Sequence, residues 1–107
     1  MPDPLQPDAL YHLATPEQWA GHRATGEIAP PSLVEEGFVH CSWGRQVAGT
    51  VAKHFDGVDE LLALHLDEDA LASDLVEEDS FGSGQAFPHV YAPIPTSAVR
   101  SVAVVRP

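Results

Sequence analysis

Three histidines stand in short apolar segments that read as β-strands: His12 in Leu10-Tyr11-His12-Leu13, His40 in Phe38-Val39-His40-Cys41-Ser42, and His89 in Pro88-His89-Val90-Tyr91. Imidazole changes charge near neutral pH and serves as general base, hydrogen-bond partner or metal ligand. Three of them in three strands suit one shared catalytic or binding site. A histidine at a partly buried position is as often a satisfied core residue, so their convergence has to come from the fold.

Strand alternation makes neighbours of residues two apart, so His40 shares a face with Ser42, His89 with Tyr91, and His12 with Leu10 and Ala14. Ser42 closes its strand just before a helical pattern. Ser42-Trp43-Gly44-Arg45 is therefore a candidate seat for a phosphate or carboxylate, with Trp43 as a stacking wall and Arg45 as a donor. The competing reading has Ser42 capping the helix and Trp43 packing on the sheet. His22 and His54 read as structural or solvated helix residues, and His65 as a satisfied core histidine. Acidic clusters read mostly as solvated faces, Glu35 and Glu36 among them. Glu77 and Glu78 stand apart because they precede the glycine loop that leads to Phe87-Pro88-His89. Cys41 is adjacent to His40 and so faces away from it, which argues against a His-activated thiol.

These side chains need elements to hold them. A strand is expected over 9–14, followed by a helix from Thr15-Pro16-Glu17 to about Ala24 with Gly26 as its stop. Ser32 to Gly37 has the ends of a short helix capped by Ser32, and Phe38 to Ser42 reads as one strand. Val47, Val51, Ala52 and Phe55 mark an amphipathic helix over 44–55. Glu60 to Leu66 suits a central strand covered on both faces, and Asp67 to Leu71 a short helical turn. Residues 74–78 suit an edge strand, Ser80 to Gln85 a flexible loop, Phe87 to Ala92 a brief strand, Thr96 to Ala98 a helical turn and Val99 to Val105 a Val-rich strand. The sum is a mixed α+β domain of five or six strands and two main helices, covering 9–107 behind a loose, proline-rich lead-in over 1–8.

At 107 residues the chain fits one domain. No apolar run approaches the ~18 residues of a membrane span, and the start of the chain lacks the pattern of a signal peptide. The one cysteine, Cys41, excludes an internal disulfide and fits a reducing cytoplasm. Sixteen acidic against five basic residues give a net charge of −11, the wrong sign for non-specific nucleic-acid binding. An anionic small-molecule ligand fits this composition only where a few donors, such as Arg23, Arg45 and backbone amides, are gathered in one place.

The ordered set Leu10-Tyr11-His12, Trp19, Ser32-Leu33, Glu36-Gly37-Phe38-Val39-His40-Cys41-Ser42, Gln46-Val47 and Phe87-Pro88-His89-Val90-Tyr91 resembles the DUF952 family, small bacterial proteins of unknown function. By fold that family is grouped with ADP-ribosyltransferases, and Tyr11-His12 followed by Val39-His40-x-Ser42 is similar to the opening strands of tRNA 2′-phosphotransferases, which use NAD. The resemblance implies a split, strongly bent β core with an NAD-sized cleft between two small sheets. It implies that His12 holds the nicotinamide ribose and that His40 and Ser42 lie near the nicotinamide. Tyr91 or Trp43 would stack on the ring, and Glu77 or Glu78 would steady oxocarbenium-like charge. The phosphate-binding arginines of the RNA enzymes have no obvious counterparts here, and His89 belongs to the DUF952 pattern alone.

Three functions fit these residues. The first is an enzyme that binds NAD or a related nucleotide and acts at the nicotinamide ribose, with His12, His40, His89 and Glu78 as catalytic groups and Ser42, Trp43, Arg45 and Tyr91 on the substrate. The second is a three-histidine metal-dependent hydrolase, disfavoured by the lack of a close His pair among the three. The third is a non-catalytic module for a small anionic ligand.

Overall fold

The computed structural model describes residues 3–79, 82 and 84–106. It is an α+β domain, as the sequence leads one to expect, in which two antiparallel sheets diverge from one short segment of chain. In β1 (Leu10–Ala14) every residue is buried, and the strand is followed at once by α1 (Pro16–Thr25). Thr15 caps α1 as expected: its hydroxyl accepts from the Gln18 amide while the Gln18 side chain accepts from the Thr15 amide. Gly26 ends the helix at a φ of 84°, a left-handed conformation that glycine adopts without penalty.

Two-residue strands β2 (Glu27–Ile28) and β8 (Ile94–Pro95) pair with each other, and neither is visible in the sequence. Helix α2 (Pro31–Glu35) begins one residue before the expected start. Ser32 therefore lies inside the helix rather than at its cap, and its hydroxyl donates to the Phe38 carbonyl at 2.9 Å.

The expected single strand over 38–42 is the main correction. It is two strands, β3 (Val39–His40) and β4 (Ser42–Trp43), which part at Cys41 and join different sheets. β4 lies at the edge of a four-stranded sheet, β4-β1-β5-β9, whose other members are β5 (Leu61–Leu66) and β9 (Val99–Arg106). β3 lies at the edge of a three-stranded sheet, β3-β7-β6, with β6 (Leu75–Glu78) and β7 (Phe87–Val90). The Cys41 amide donates to the Pro88 carbonyl, which holds the branch point to the second sheet. The helix expected over 44–55 opens as a 3₁₀ turn, Gly44–Gln46, and continues as α3 (Val47–His54). After β5, Asp67 caps the short α4 (Glu68–Leu71), its carboxylate accepting from the Ala70 amide.

The core has two parts. Leu10, Ala14, Ile28, Val39, Leu64, Leu66, Val90 and Ile94 form one cluster that welds the two sheets together. Tyr11, Leu13, Leu61 and Ala63 form the other with Val47 and Val51 of α3, the buried stripe that the helical spacing foretold; Ala52 is exposed instead. As expected, β5 is central and almost wholly buried. Residues 3–8 form no helix or strand but are tied down: the Asp3 amide donates to the Val104 carbonyl, the Val104 amide to the Asp3 carboxylate, and the Gln6 amide to the Tyr11 hydroxyl. In the expected loop, Ser80, Phe81 and Ser83 lie outside the described residues. No helix among the described residues is long and apolar enough to cross a membrane.

Candidate functional site

The parting of β3 and β4 makes the site. β4 pairs with β1 only through Leu10–Trp43 and Tyr11–Ser42. One residue on, the chain has left for the other sheet, and the flank of β1 at His12 lies open. The His12 side chain crosses that gap, its Nδ1–H donating to the His40 carbonyl at 2.7 Å in place of a ladder bond. The result is a cavity of about 500 Å³ between the two sheets and α3, a size normal for small-ligand sites.

His12, His40, Ser42 and His89 all line this cavity. β3 pairs with β7 so that His40 and His89 are directly opposed, their rings edge to face with centroids 5.3 Å apart. Phe38 stacks on His89 at 4.0 Å, fixing the plane of that ring. Ser42 meets Thr50 of α3, hydroxyl to hydroxyl at 3.3 Å. Apolar surface comes from Leu13, Phe55 and Phe87, and Lys53 brings a formal positive charge.

The histidines differ electrically. His12 is 7% exposed, and burial lowers its pKa to about 4, so it is neutral at pH 7. Its proton sits on Nδ1, because the carbonyl it meets can only accept. His89, 1% exposed, gives its Nδ1 proton to a carboxylate oxygen of Glu78 at 2.8 Å. His40 is half-buried and pairs through Nε2 with Glu36 at 2.7 Å. Every fully buried side-chain nitrogen or oxygen among the described residues has a hydrogen-bond partner. Among the described residues Nε2 of His12 and of His89 has none, so neither is sealed, and both residues line the cavity. The cavity thus presents two lone-pair acceptors.

The other expected site residues lie outside the cavity lining. Glu78 stands behind His89 and accepts both from that ring and from the Tyr91 hydroxyl. The two bonds, that from Tyr91 foremost, hold its carboxyl below the usual carboxylate range. Tyr91 is 44% exposed, and its own pKa is raised by the same contact. Trp43 is packed in the core, its indole N–H donating to Glu77 at 2.8 Å. Arg45 lies over the outer face of Trp43 and pairs with Asp8 at 3.4 Å. Trp43 therefore packs on the sheet, as the structural reading of that segment has it. Burial raises the Cys41 thiol far above its ordinary pKa, leaving it inert at neutral pH.

Several lining residues escape sequence reading. Glu36, which read as a solvated face, is brought to His40 by their four-residue spacing across Gly37. His54, which read as a solvated helix end, lines the cavity from α3. Gln46 is buried and ties β4 to the approach of β7, accepting from the Trp43 amide and donating to the Ala86 carbonyl. His65 lies against Tyr11 and Ser101, away from the cavity lining. Among the described residues, no three of His, Cys, Asp and Glu are placed to hold a metal ion, so the geometry gives a three-histidine metal centre no support.

This fold and cavity define a small α+β protein with a histidine-lined site. The chain belongs to the DUF952 family, proteins of unknown function, whose model matches residues 13–102. Its fold is similar to that of protein CC0527 from Caulobacter crescentus: the crystal structure is 33% identical with a TM-score of 0.79, covering 89% of this chain and 83% of that one. The solution NMR structure of the same protein is 33% identical with a TM-score of 0.77, over 89% and 82% of the two chains. No curated protein matches the sequence.

Proposed function

We propose that the cavity binds a nucleotide of the NAD type, with the ribose next to the nicotinamide seated among His12, His40 and His89, and that the protein acts at that ribose. One observation carries the reading: histidines from three strands of two sheets, with Ser42, line one cavity of about 500 Å³. The acceptor nitrogens of His12 and His89 suit a ligand rich in hydroxyl donors, as a ribose is. Leu13, Phe55 and Phe87 suit a flat apolar ring beside it, and Lys53 suits a phosphate. A core split into two sheets around the cavity is also what the likeness to ADP-ribosyltransferases implies. The net charge of −11 favours a small ligand over a nucleic-acid strand.

Titration calorimetry with NAD, ADP-ribose and nicotinamide tests this. The expected result is saturable one-site binding of NAD or ADP-ribose, weakened about ten-fold by His40→Ala, one lost hydrogen bond being worth roughly 1.4 kcal/mol. The substitution Val34→Ser, at a 91% exposed residue outside the cavity lining, leaves it unchanged. No binding by the wild-type protein at millimolar nucleotide overturns the reading.

A further inference from the structure

We infer that Tyr91, Glu78 and His89 form a hydrogen-bonded relay of contacts that opens on the cavity, with His89 Nε2 as a general base, Glu78 as its positioning residue and Tyr91 holding Glu78. The inference rests on the nucleotide reading for its substrate but on separate geometry for its mechanism. Glu78 is the last residue of β6 and His89 lies diagonally across from it on β7, since Val76 is opposite His89 and Glu78 opposite Phe87. Diagonal neighbours of this kind lie on one face of the sheet, within reach of long side chains. The Glu78 oxygen that takes the His89 Nδ1 proton also takes the Tyr91 hydroxyl proton. Two donors fix that carboxylate, the carboxylate fixes the tautomer of the imidazole, and Phe38 stacked at 4.0 Å fixes its plane. The sole ring atom left to act is Nε2, an acceptor facing the cavity.

A purely structural histidine has no need of this arrangement. His89 is 1% exposed, its second nitrogen has no hydrogen-bond partner among the described residues, and the residue lines the cavity. A base with an oriented carboxylate behind it is the arrangement that accepts a proton in a reaction, because the carboxylate stabilises the imidazolium that forms. The other two histidines are held differently: His40 meets the exposed Glu36 through Nε2, and His12 is backed by a carbonyl, which bears no formal charge.

With an NAD-type ligand and water, the step balances. A water in the cavity gives one proton to His89 Nε2 while its oxygen lone pair forms a bond to C1′ of the ribose. The bond from C1′ to the pyridinium nitrogen breaks, its electron pair stays on that nitrogen, and nicotinamide leaves neutral. The imidazolium, held by Glu78, then releases its extra proton to solvent.

Two measurements test the relay. On the free protein, long-range proton–nitrogen NMR is expected to find His89 protonated on Nδ1 alone and to show the Nε2-protonated tautomer appearing in Glu78→Gln. Nε2 protonation in the wild-type protein overturns the inference. Nicotinamide release from NAD is the second measurement. His89→Asn retains an amide N–H that can donate to Glu78 but loses the Nε2 acceptor, so NAD binding is expected to weaken about ten-fold, as for His40→Ala, while kcat at saturating NAD falls at least about 100-fold, the usual reach of a general base. Glu78→Gln is expected to fall about ten-fold in kcat with unchanged KM, and Glu78→Asp to recover part of it. A wild-type protein that binds NAD without releasing nicotinamide, or a His89→Asn variant with undiminished kcat, overturns the relay. Absence of NAD binding overturns the nucleotide reading instead, and the tautomer measurement still decides the relay.

Discussion

His12 donates its Nδ1–H to the His40 carbonyl and is only 7% exposed, and both facts make it a pH-dependent part of the fold. Its pKa is lowered from 6.5 to about 4 in the folded protein, first by burial and then by the neighbouring His22 and His40, against the carbonyl bond, which raises it. Between those two pH values the unfolded chain binds the proton and the folded one does not, so stability rises with pH across that window. Acidification from 7 to 4 is therefore expected to remove about 3 kcal/mol, followed by urea unfolding at a series of pH values. His12→Asn keeps an amide donor for the His40 carbonyl but does not titrate, and it should flatten the slope. The part due to His22, whose pKa burial lowers in the same direction, remains. An equally steep slope in that variant would contradict the assignment. Glu78 acts lower on the scale: its carboxyl is held down by Tyr91 and His89, so its contribution is present above the usual carboxylate range and is lost only as pH falls below it. At this scale the sequence was informative wherever residue type decides chemistry. Residue type singled out His12, His40 and His89, and alternation set Ser42 beside His40, while their meeting on one cavity came from the fold. Glu36 and His54 were not singled out, because a charge on an exposed helix end looks the same whether or not a second element closes over it.

The elements explain why the four residues meet. Phe38 to Ser42 reads as one strand with no Gly or Pro inside it, and nothing in it signals that Val39–His40 and Ser42–Trp43 belong to different sheets. The break follows from partners far away in the chain, β7 for one half and β1 for the other. β2 and β8 stayed hidden for a related reason, since two residues carry no periodicity. Helix α1, by contrast, was legible because Thr15, Pro16 and Gly26 act locally. The lead-in read as loose because prolines resist helix and ladder, yet it folds back on the start of the 3₁₀ turn. The Gly44 amide donates to the Ala9 carbonyl and the Arg45 amide to the Pro7 carbonyl. A β-carbon at Gly44 would stand 1.9 Å from the Gln6 carbonyl oxygen, a contact that only backbone movement relieves. Gly44→Ala is accordingly expected to destabilise the full chain by about 1–3 kcal/mol, as overpacking does. In a chain lacking residues 1–8 the same substitution should cost little. Equal costs in the two chains, measured by urea unfolding, would show that the lead-in does not press on Gly44.

For the whole molecule, two sheets share one core and diverge at one residue, and the cavity is the space that divergence leaves. The order of strand and helix patterns was enough for the α+β class, while the register that opposes His40 to His89 depended on long-range pairing that no local pattern encodes. The central claim is that the three histidines serve one ligand together. Imidazole NMR signals followed during a titration with NAD test it directly, with His65 as an internal reference outside the cavity lining. The signals of His12, His40 and His89 should move along one binding curve with a common Kd while His65 stays still. Movement of the half-buried His40 alone, or of none of the three, would contradict a shared site.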